Sequence, residues 1–227
     1  MENKFERTIQ VIGTAAFERL QAANVILFGV GGVGGWCAEA LIRSGVQHLT
    51  MVDFDTVNVT NLNRQLVATS ANIDELKVEE LRKRLLLINP EAQITTLPIR
   101  YSAETAEQFD FNYFDYVIDA IDSIADKALL LTRAAASSVK VFSSMGAGRK
   151  IDTSSVRVSS FNKVEGCPLA RALRHKLKES SNSQILKSSN LLCVWSSELS
   201  SDRGTIAPVV GVFGMTLADL VIRDVLS

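Results

Sequence analysis

The chain is poor in the features that would make it extracellular, metal-stapled or broadly nucleic-acid-coating. Only three cysteines occur in 227 residues, Cys37, Cys167 and Cys193, and no two are spaced as a pair. That excludes a disulfide framework and a four-cysteine zinc site. Acidic and basic residues nearly cancel, at a net charge of −1. Capture of nucleic acid by overall charge is thereby excluded, and only a local basic patch could serve that purpose. The N-terminal stretch MENKFERTIQ has no apolar signal-peptide core, so a cytoplasmic location is expected. No repeat occurs, and the single biased stretch is serine-rich, at 180–201. The apolar tail at 205–222 is interrupted by Pro208, two glycines and Asp219. A loop and a buried helix are expected there, not a membrane anchor.

What the chain does have is a regular alternation. Strand-like runs fall at 24–28, 48–52, 93–97, 116–120 and 140–144, with helical periodicity at about 34–44, 75–89, 102–109 and 124–136. Strand, helix, strand repeated in this way predicts βαβ units. The expected fold is α/β, a doubly wound Rossmann-like, mostly parallel sheet with helices on both faces. After Gly148 the pattern changes: KIDTSSVRVSS reads as a β-hairpin, and CPLARALRHKLKES as a helix starting at Pro168. Hydrophobic content of 47% and charge of 22% suit one globular domain over 1–227. Its parts are a nucleotide-binding core at 1–150 and a C-terminal hairpin and helix elaboration at 151–227.

The stretch FGVGGVGGWCAEALIRSG places Gly29, Gly31 and Gly34 directly after the first apolar run. Gly-x-Gly-x-x-Gly at a strand-to-helix turn is a nucleotide fingerprint, but NAD, FAD and ATP all present phosphates to such a loop. Asp53, 24 residues after Gly29, suits ribose hydroxyls in NAD and ATP alike. The next loop separates them. Asn61, Asn63, Arg64 and Gln65, followed by Lys77, form a set suited to a polyphosphate. A dinucleotide's pyrophosphate is already satisfied by the glycine turn and the helix N-terminus. Asp119 and Asp122 follow the fourth strand, and a carboxylate beside phosphates calls for a divalent cation between them. Asp122 therefore predicts Mg²⁺, and ATP is the predicted nucleotide. Asp55 and Asp119 stay open between turn or cap duty and catalysis.

Taken together, Gly29, Gly31, Gly32 and Gly34, Asp53-x-Asp55, Asn61-x-x-Arg64-Gln65, Lys77 and Asp119-x-x-Asp122 resemble the adenylation domain of the ubiquitin-activating-enzyme superfamily. That superfamily includes the bacterial adenylyltransferases of sulfur-carrier proteins. The resemblance implies Asp53 at the ribose, Asn61, Arg64, Gln65 and Lys77 at the phosphates, and Asp122 at Mg²⁺. It also implies a homodimer in which Arg7 reaches into the partner's site. Within the superfamily, NLNRQ, KVEELRKRLLLINPEAQIT, YVIDAIDS, PLARALRHKLK and WSSE are similar to the tRNA threonylcarbamoyladenosine dehydratase branch. The sulfur-carrier branch bears two Cys-x-x-Cys pairs, which this chain lacks. The segment LSSDRGTIAPVVG is shorter than its counterpart in the dehydratase branch, so substrate contacts there are not carried over.

The resemblance implies ATP-dependent activation of a carboxylate as its adenylate, then cyclisation of threonylcarbamoyladenosine in tRNA. A sulfur-transfer protein is a candidate partner. The alternatives are adenylation of a ubiquitin-like sulfur carrier's terminal Gly-Gly, and an NAD-binding oxidoreductase or nucleotide-sensing module. Cys167, before Pro168 at a helix start, has two readings. One is a thioester nucleophile; the other, preferred because dehydration needs no thioester, is structural. Cys37 and Cys193 read as core, His48 as a strand-start residue and His175 as surface. The run Arg171, Arg174, His175, Lys176, Lys178 reads either as a solvated helix face or as a surface contacting tRNA phosphates.

Overall fold

The computed structural model describes residues 3–179, 185, 191–201 and 204–227. Two short helices, α1 (Glu6–Ile12) and α2 (Thr14–Ala22), precede β1 (Asn24–Phe28). The chain continues through α3 (Gly34–Ser44), β2 (His48–Val52), α4 (Lys77–Ile88), β3 (Gln93–Leu97), β4 (Tyr116–Asp119), α5 (Ile124–Ala135) and β5 (Lys140–Ser144). Then come β6 (Arg157–Ser160), α6 (Pro168–Glu179), β7 (Leu191–Trp195) and α7 (Ala207–Asp224). One seven-stranded sheet runs in the order β3-β2-β1-β4-β5-β7-β6. All its pairings are parallel except β6 with β7. The order reverses direction between β1 and β4, which opens a crevice at the carboxyl ends of the central strands.

The strands sort their side chains by alternation. Val25 and Leu27 of β1 face a core shared with Cys37 and Leu41 of α3, Leu81 and Leu85 of α4, and Phe213 and Leu217 of α7. Ile26 and Phe28 face a second core, with Leu130 and Leu131 of α5 and Leu173 and Leu177 of α6. Burial on both faces explains why β1 and β4 read as unbroken apolar runs. α7 packs along α3; it is the helix expected at the end of the apolar tail. Among the described residues, no helix is long and apolar enough to cross a membrane.

Two expectations are corrected. The segment read as a hairpin forms a short 3-10 turn at Thr153–Ser155 and one edge strand, β6. Its partner is not the adjacent chain but β7, beyond α6. Lys150 is the reason: its buried ammonium donates to the carbonyls of Ser196 (3.0 Å) and Glu198, and Asp152 caps Ser154 (2.9 Å). The helix expected at 102–109 is only a 3-10 turn, Ala106–Gln108. There Thr105 Oγ1 accepts from the Ser102 N–H (3.0 Å) and donates to the Arg100 carbonyl (2.6 Å), local bonds that compete with helix. Phe109 then turns inward against Phe28 and Tyr101. Beyond these, β7, which carries the core residue Cys193, is not among the strand-like runs of the sequence. It sits between β5 and β6 and so joins the last third of the chain to the same sheet.

Candidate functional site

The glycine turn is shaped by contacts that forbid side chains. Gly29 has φ +85°, and its N–H donates to the Val52 carbonyl at 2.8 Å. A Cβ on Gly34 would lie 1.8 Å from the Gly29 carbonyl oxygen. The turn thus folds onto itself, and Gly31, Gly32 and Val33 line a cavity of about 430 Å³ just before α3. Backbone N–H groups and the helix dipole there favour an anion.

The carboxyl end of β2 supplies the acidic wall. Asp53 Oδ2 accepts from the Val30 N–H (2.7 Å) and Oδ1 from the Asp55 N–H (2.9 Å), which fixes both oxygens at the cavity. Burial pushes the Asp53 carboxyl above its usual range, against the pull of those donors and of Lys77. Asp55 and Lys77 form a unit: Lys77 Nζ bonds Asp55 Oδ2 at 2.8 Å, and the Lys77 N–H donates to the Asp55 carbonyl at 3.0 Å. The Lys77 side chain is 6% exposed, so its placement depends on that partner. Arg64 Nη1 is held by the Thr60 carbonyl (2.8 Å) and by Asn63 Oδ1 (2.9 Å). Gln65 is buried in the wall, and its Oε1 has no partner among the described residues. A buried acceptor of this kind needs a ligand or water.

Two acids of the Asp119-x-x-Asp122 pair divide their duties. Asp119 is fully buried, 2.6 Å from Lys127 Nζ and 2.6 Å from Ser143 Oγ. It also accepts from the Ile121 N–H, so it fixes the loop that carries its neighbour. Asp122 lines the cavity with no ion pair or side-chain hydrogen bond among the described residues. Those residues include no cluster of three or more His, Cys, Asp or Glu able to hold a metal by itself. One free carboxylate facing a phosphate pocket fits Mg²⁺, which takes few protein ligands and several from substrate oxygens.

Of the expected residues, Gly29, Gly31, Gly32, Asp53, Asp55, Arg64, Gln65, Lys77 and Asp122 converge on the cavity. Gly34 shapes the turn. Asn61 lies outside the lining: its Oδ1 accepts from the Asn58 N–H (3.1 Å) in a capping box that builds the loop holding Arg64 and Gln65. Arg7 is exposed on α1 and is not among the lining residues. Cys167 is buried, and a Cβ on Gly146 would lie 3.8 Å from its sulfur. Burial pushes the Cys37 and Cys193 thiols well up, as inert core cysteines require.

The structure adds residues that the sequence did not single out. Arg100 lines the cavity, donates to Asp126 Oδ2 through Nε (3.0 Å) and Nη2 (2.7 Å), and stacks over Phe54. Its position just past the carboxyl end of β3 was the available signal. Opposite lie Ser144, Gly146, Gly148 and Leu169, with Thr205 and Val210 from the approach to and first turn of α7. Nothing in their spacing announced them.

A nucleotide-shaped crevice at the switch point of a doubly wound sheet, with a phosphate loop, cations and a free carboxylate, defines an ATP-binding α/β adenylation module. The ThiF family model matches residues 5–227, and the chain belongs to that family. It is 40% identical over 180 residues to the tRNA threonylcarbamoyladenosine dehydratase of Bacillus subtilis, covering 79% of this chain and 70% of that one. The crystal structure of the Escherichia coli tRNA N6-threonylcarbamoyladenosine dehydratase in complex with ATP superposes with a TM-score of 0.92 at 32% identity, covering 98% and 93% of the two chains. The molybdopterin-synthase adenylyltransferase of Escherichia coli is 31% identical over 198 residues, 87% of this chain and 70% of that protein.

Proposed function

We propose that this chain is an ATP-dependent dehydratase of threonylcarbamoyladenosine in tRNA. The observation that carries the reading is the convergence of the glycine turn, Asp53, Arg64, Gln65, Lys77 and Asp122 on one cavity, in a chain 40% identical to a dehydratase. Residues 1–227 form one adenylation unit in this reading, which the shared sheet of β5, β7 and β6 supports.

In the proposed reaction a carboxylate oxygen of the substrate attacks the α-phosphorus of ATP, and pyrophosphate leaves. The carbamoyl group then closes onto the activated carbonyl and expels AMP, which carries away the oxygen lost as water. Asp53 orients the ribose through oxygens already fixed by backbone donors. The glycine turn and the N-terminus of α3 receive phosphate charge. Lys77 has two ammonium donors beyond the one spent on Asp55, and Arg64 has Nε and Nη2 beyond the Nη1 held by its loop. Both can meet charge that develops on the phosphates. Asp122 would hold Mg²⁺, which supplies neutralisation of the departing pyrophosphate.

The reading includes a cytoplasmic homodimer, with a sulfur-transfer protein as a candidate partner. α1 supports the dimer: it buries none of its residues, exposes Arg7, and leaves Val11 84% exposed. The test is incubation with ATP and tRNA bearing threonylcarbamoyladenosine. Mass spectrometry should find a nucleoside one water lighter, with AMP released in step, from wild type and Cys167→Ser alike. Adenylation of a Gly-Gly carrier protein without any change in tRNA would establish the other branch of the family. Activity lost only in Cys167→Ser would restore the thioester.

A further inference from the structure

We infer that the exposed face of α6, with the turn beside it, is the surface on which the RNA backbone lies. This rests on tRNA being the substrate. Residues 163–179 carry Lys163, Arg171, Arg174, Lys176 and Lys178 against two carboxylates, Glu165 and Glu179, in a chain whose total charge is −1. The positive charge that the whole molecule lacks is concentrated here.

The structure sorts these cations. Arg174 is not part of a free face: its Nη2 donates to the carbonyls of Phe161 (2.8 Å) and Val164, and its guanidinium stacks on the Phe161 ring. It therefore pins the 161–164 turn, and with it exposed Lys163, against the middle of α6. Glu179 is shared by His175 (3.3 Å) and Lys176 (4.0 Å). Arg171 and Lys178 are exposed with no acidic partner among the described residues. They flank Arg174 on one side of the helix, three residues before and four after, so Arg171, Lys178 and Lys163 line one strip. Leu173 and Leu177 fill the core on the opposite side.

Position ties the strip to the chemistry. Leu169, the second residue of α6, lines the cavity, and a Cβ on Gly146 would lie 3.5 Å from its Cβ. Two residues on, exposed Arg171 begins the cationic side of the same helix, about 3 Å further along its axis and roughly half a turn round from Leu169. A modified adenosine whose side chain must reach the α-phosphate has to enter the cavity, which leaves its own backbone outside, beside the N-terminal end of α6 that Leu169 brings to the cavity. Phosphates there meet Arg171 first and Lys178 roughly 10 Å further along the helix axis. Such contacts position the strand without reading its sequence.

The test is tRNA affinity as a function of salt for the dimer, with Arg171→Glu/Lys178→Glu beside the wild type. A control, Lys83→Glu/Arg223→Glu on α4 and α7, changes net charge equally. The double variant should lower the slope of log affinity against log salt by about two and raise the KM for tRNA at least about tenfold. At saturating tRNA its kcat and its ATP affinity should match wild type, with the dimer intact by light scattering. A wild-type slope in the double variant, or an equal loss in the control, overturns the surface while leaving the dehydratase reading in place. A wild-type protein that neither binds nor converts tRNA overturns the dehydratase reading, and the surface with it.

Discussion

At the scale of single residues, neighbouring acids do different work because of what faces them. Asp119 and Asp122 stand three apart, yet one is sealed against Lys127 and Ser143 and the other lies free in the cavity wall. A buried carboxylate with three partners is a structural fixture, since removing one partner would leave an uncompensated charge. A free carboxylate beside a phosphate loop costs energy unless a cation joins it. Asp122→Asn should therefore lower AMP formation by about 10²-fold while shifting stability by less than about 0.5 kcal/mol. A quenched-turnover assay read beside a urea titration checks both numbers; turnover at the wild-type rate would remove Asp122 from the metal role.

At the scale of elements, the glycine turn and the α3–α4 pair show how one position is set by another. A Cβ on Gly34 would sit 1.8 Å from the Gly29 oxygen, whereas one on Gly31 would meet nothing closer than 3.6 Å, the Gln65 amide. Gly34→Ala should destabilise the fold by about 1–3 kcal/mol and abolish ATP binding. Gly31→Ala should fold like wild type and weaken only nucleotide affinity. Denaturant midpoints and ATP titrations of the two variants separate these outcomes. On the far side of α3, Glu39 is held by Arg84 of α4 and by Arg43 one turn on.

Burial raises the Glu39 carboxyl, but the two guanidinium groups prevail and hold it below its ordinary value of 4.5. The unfolded chain therefore takes up this proton at a higher pH than the folded one. The stabilisation is fully present above about pH 4.5 and is lost as pH falls through the lowered folded value. Because both arginines are half-exposed, Glu39→Gln should cost only about 1 kcal/mol at pH 7. That difference should shrink as pH falls below about 4.5, as stability measured across pH will show.

At the scale of the molecule, the cavity draws on residues from β1 to α7, but Arg7 stays outside it in a single chain. If the active unit is the dimer, an Arg7→Ala chain mixed with a Lys77→Ala chain should form heterodimers that recover part of the activity both parents lack. In the simplest sharing, one of the heterodimer's two sites has both residues intact. Heterodimers shown to form without any rescue would establish that Arg7 does not cross between subunits.

The sequence by itself determined the sheet of parallel strands, the glycine turn and most of the phosphate set, because those signals are local. Strand and helix periodicity, glycine spacing and the acid ending β2 are each encoded within one βαβ unit. Only the tertiary structure decided what depends on remote partners. KIDTSSVRVSS alternates like a hairpin, but its strand pairs with β7 because Lys150 is anchored on the carbonyls of Ser196 and Glu198. Asn61 looks like a ligand in NLNRQ, yet the backbone of Asn58 claims its side chain. Arg100 looks like a surface charge until the segment after β3 brings it to Asp126 of α5. Arg174 counts with the basic run until the 161–164 turn folds against it. A side chain's chemistry is written at its own position, but whether that chemistry is free for a ligand is set by whichever distant backbone reaches it first.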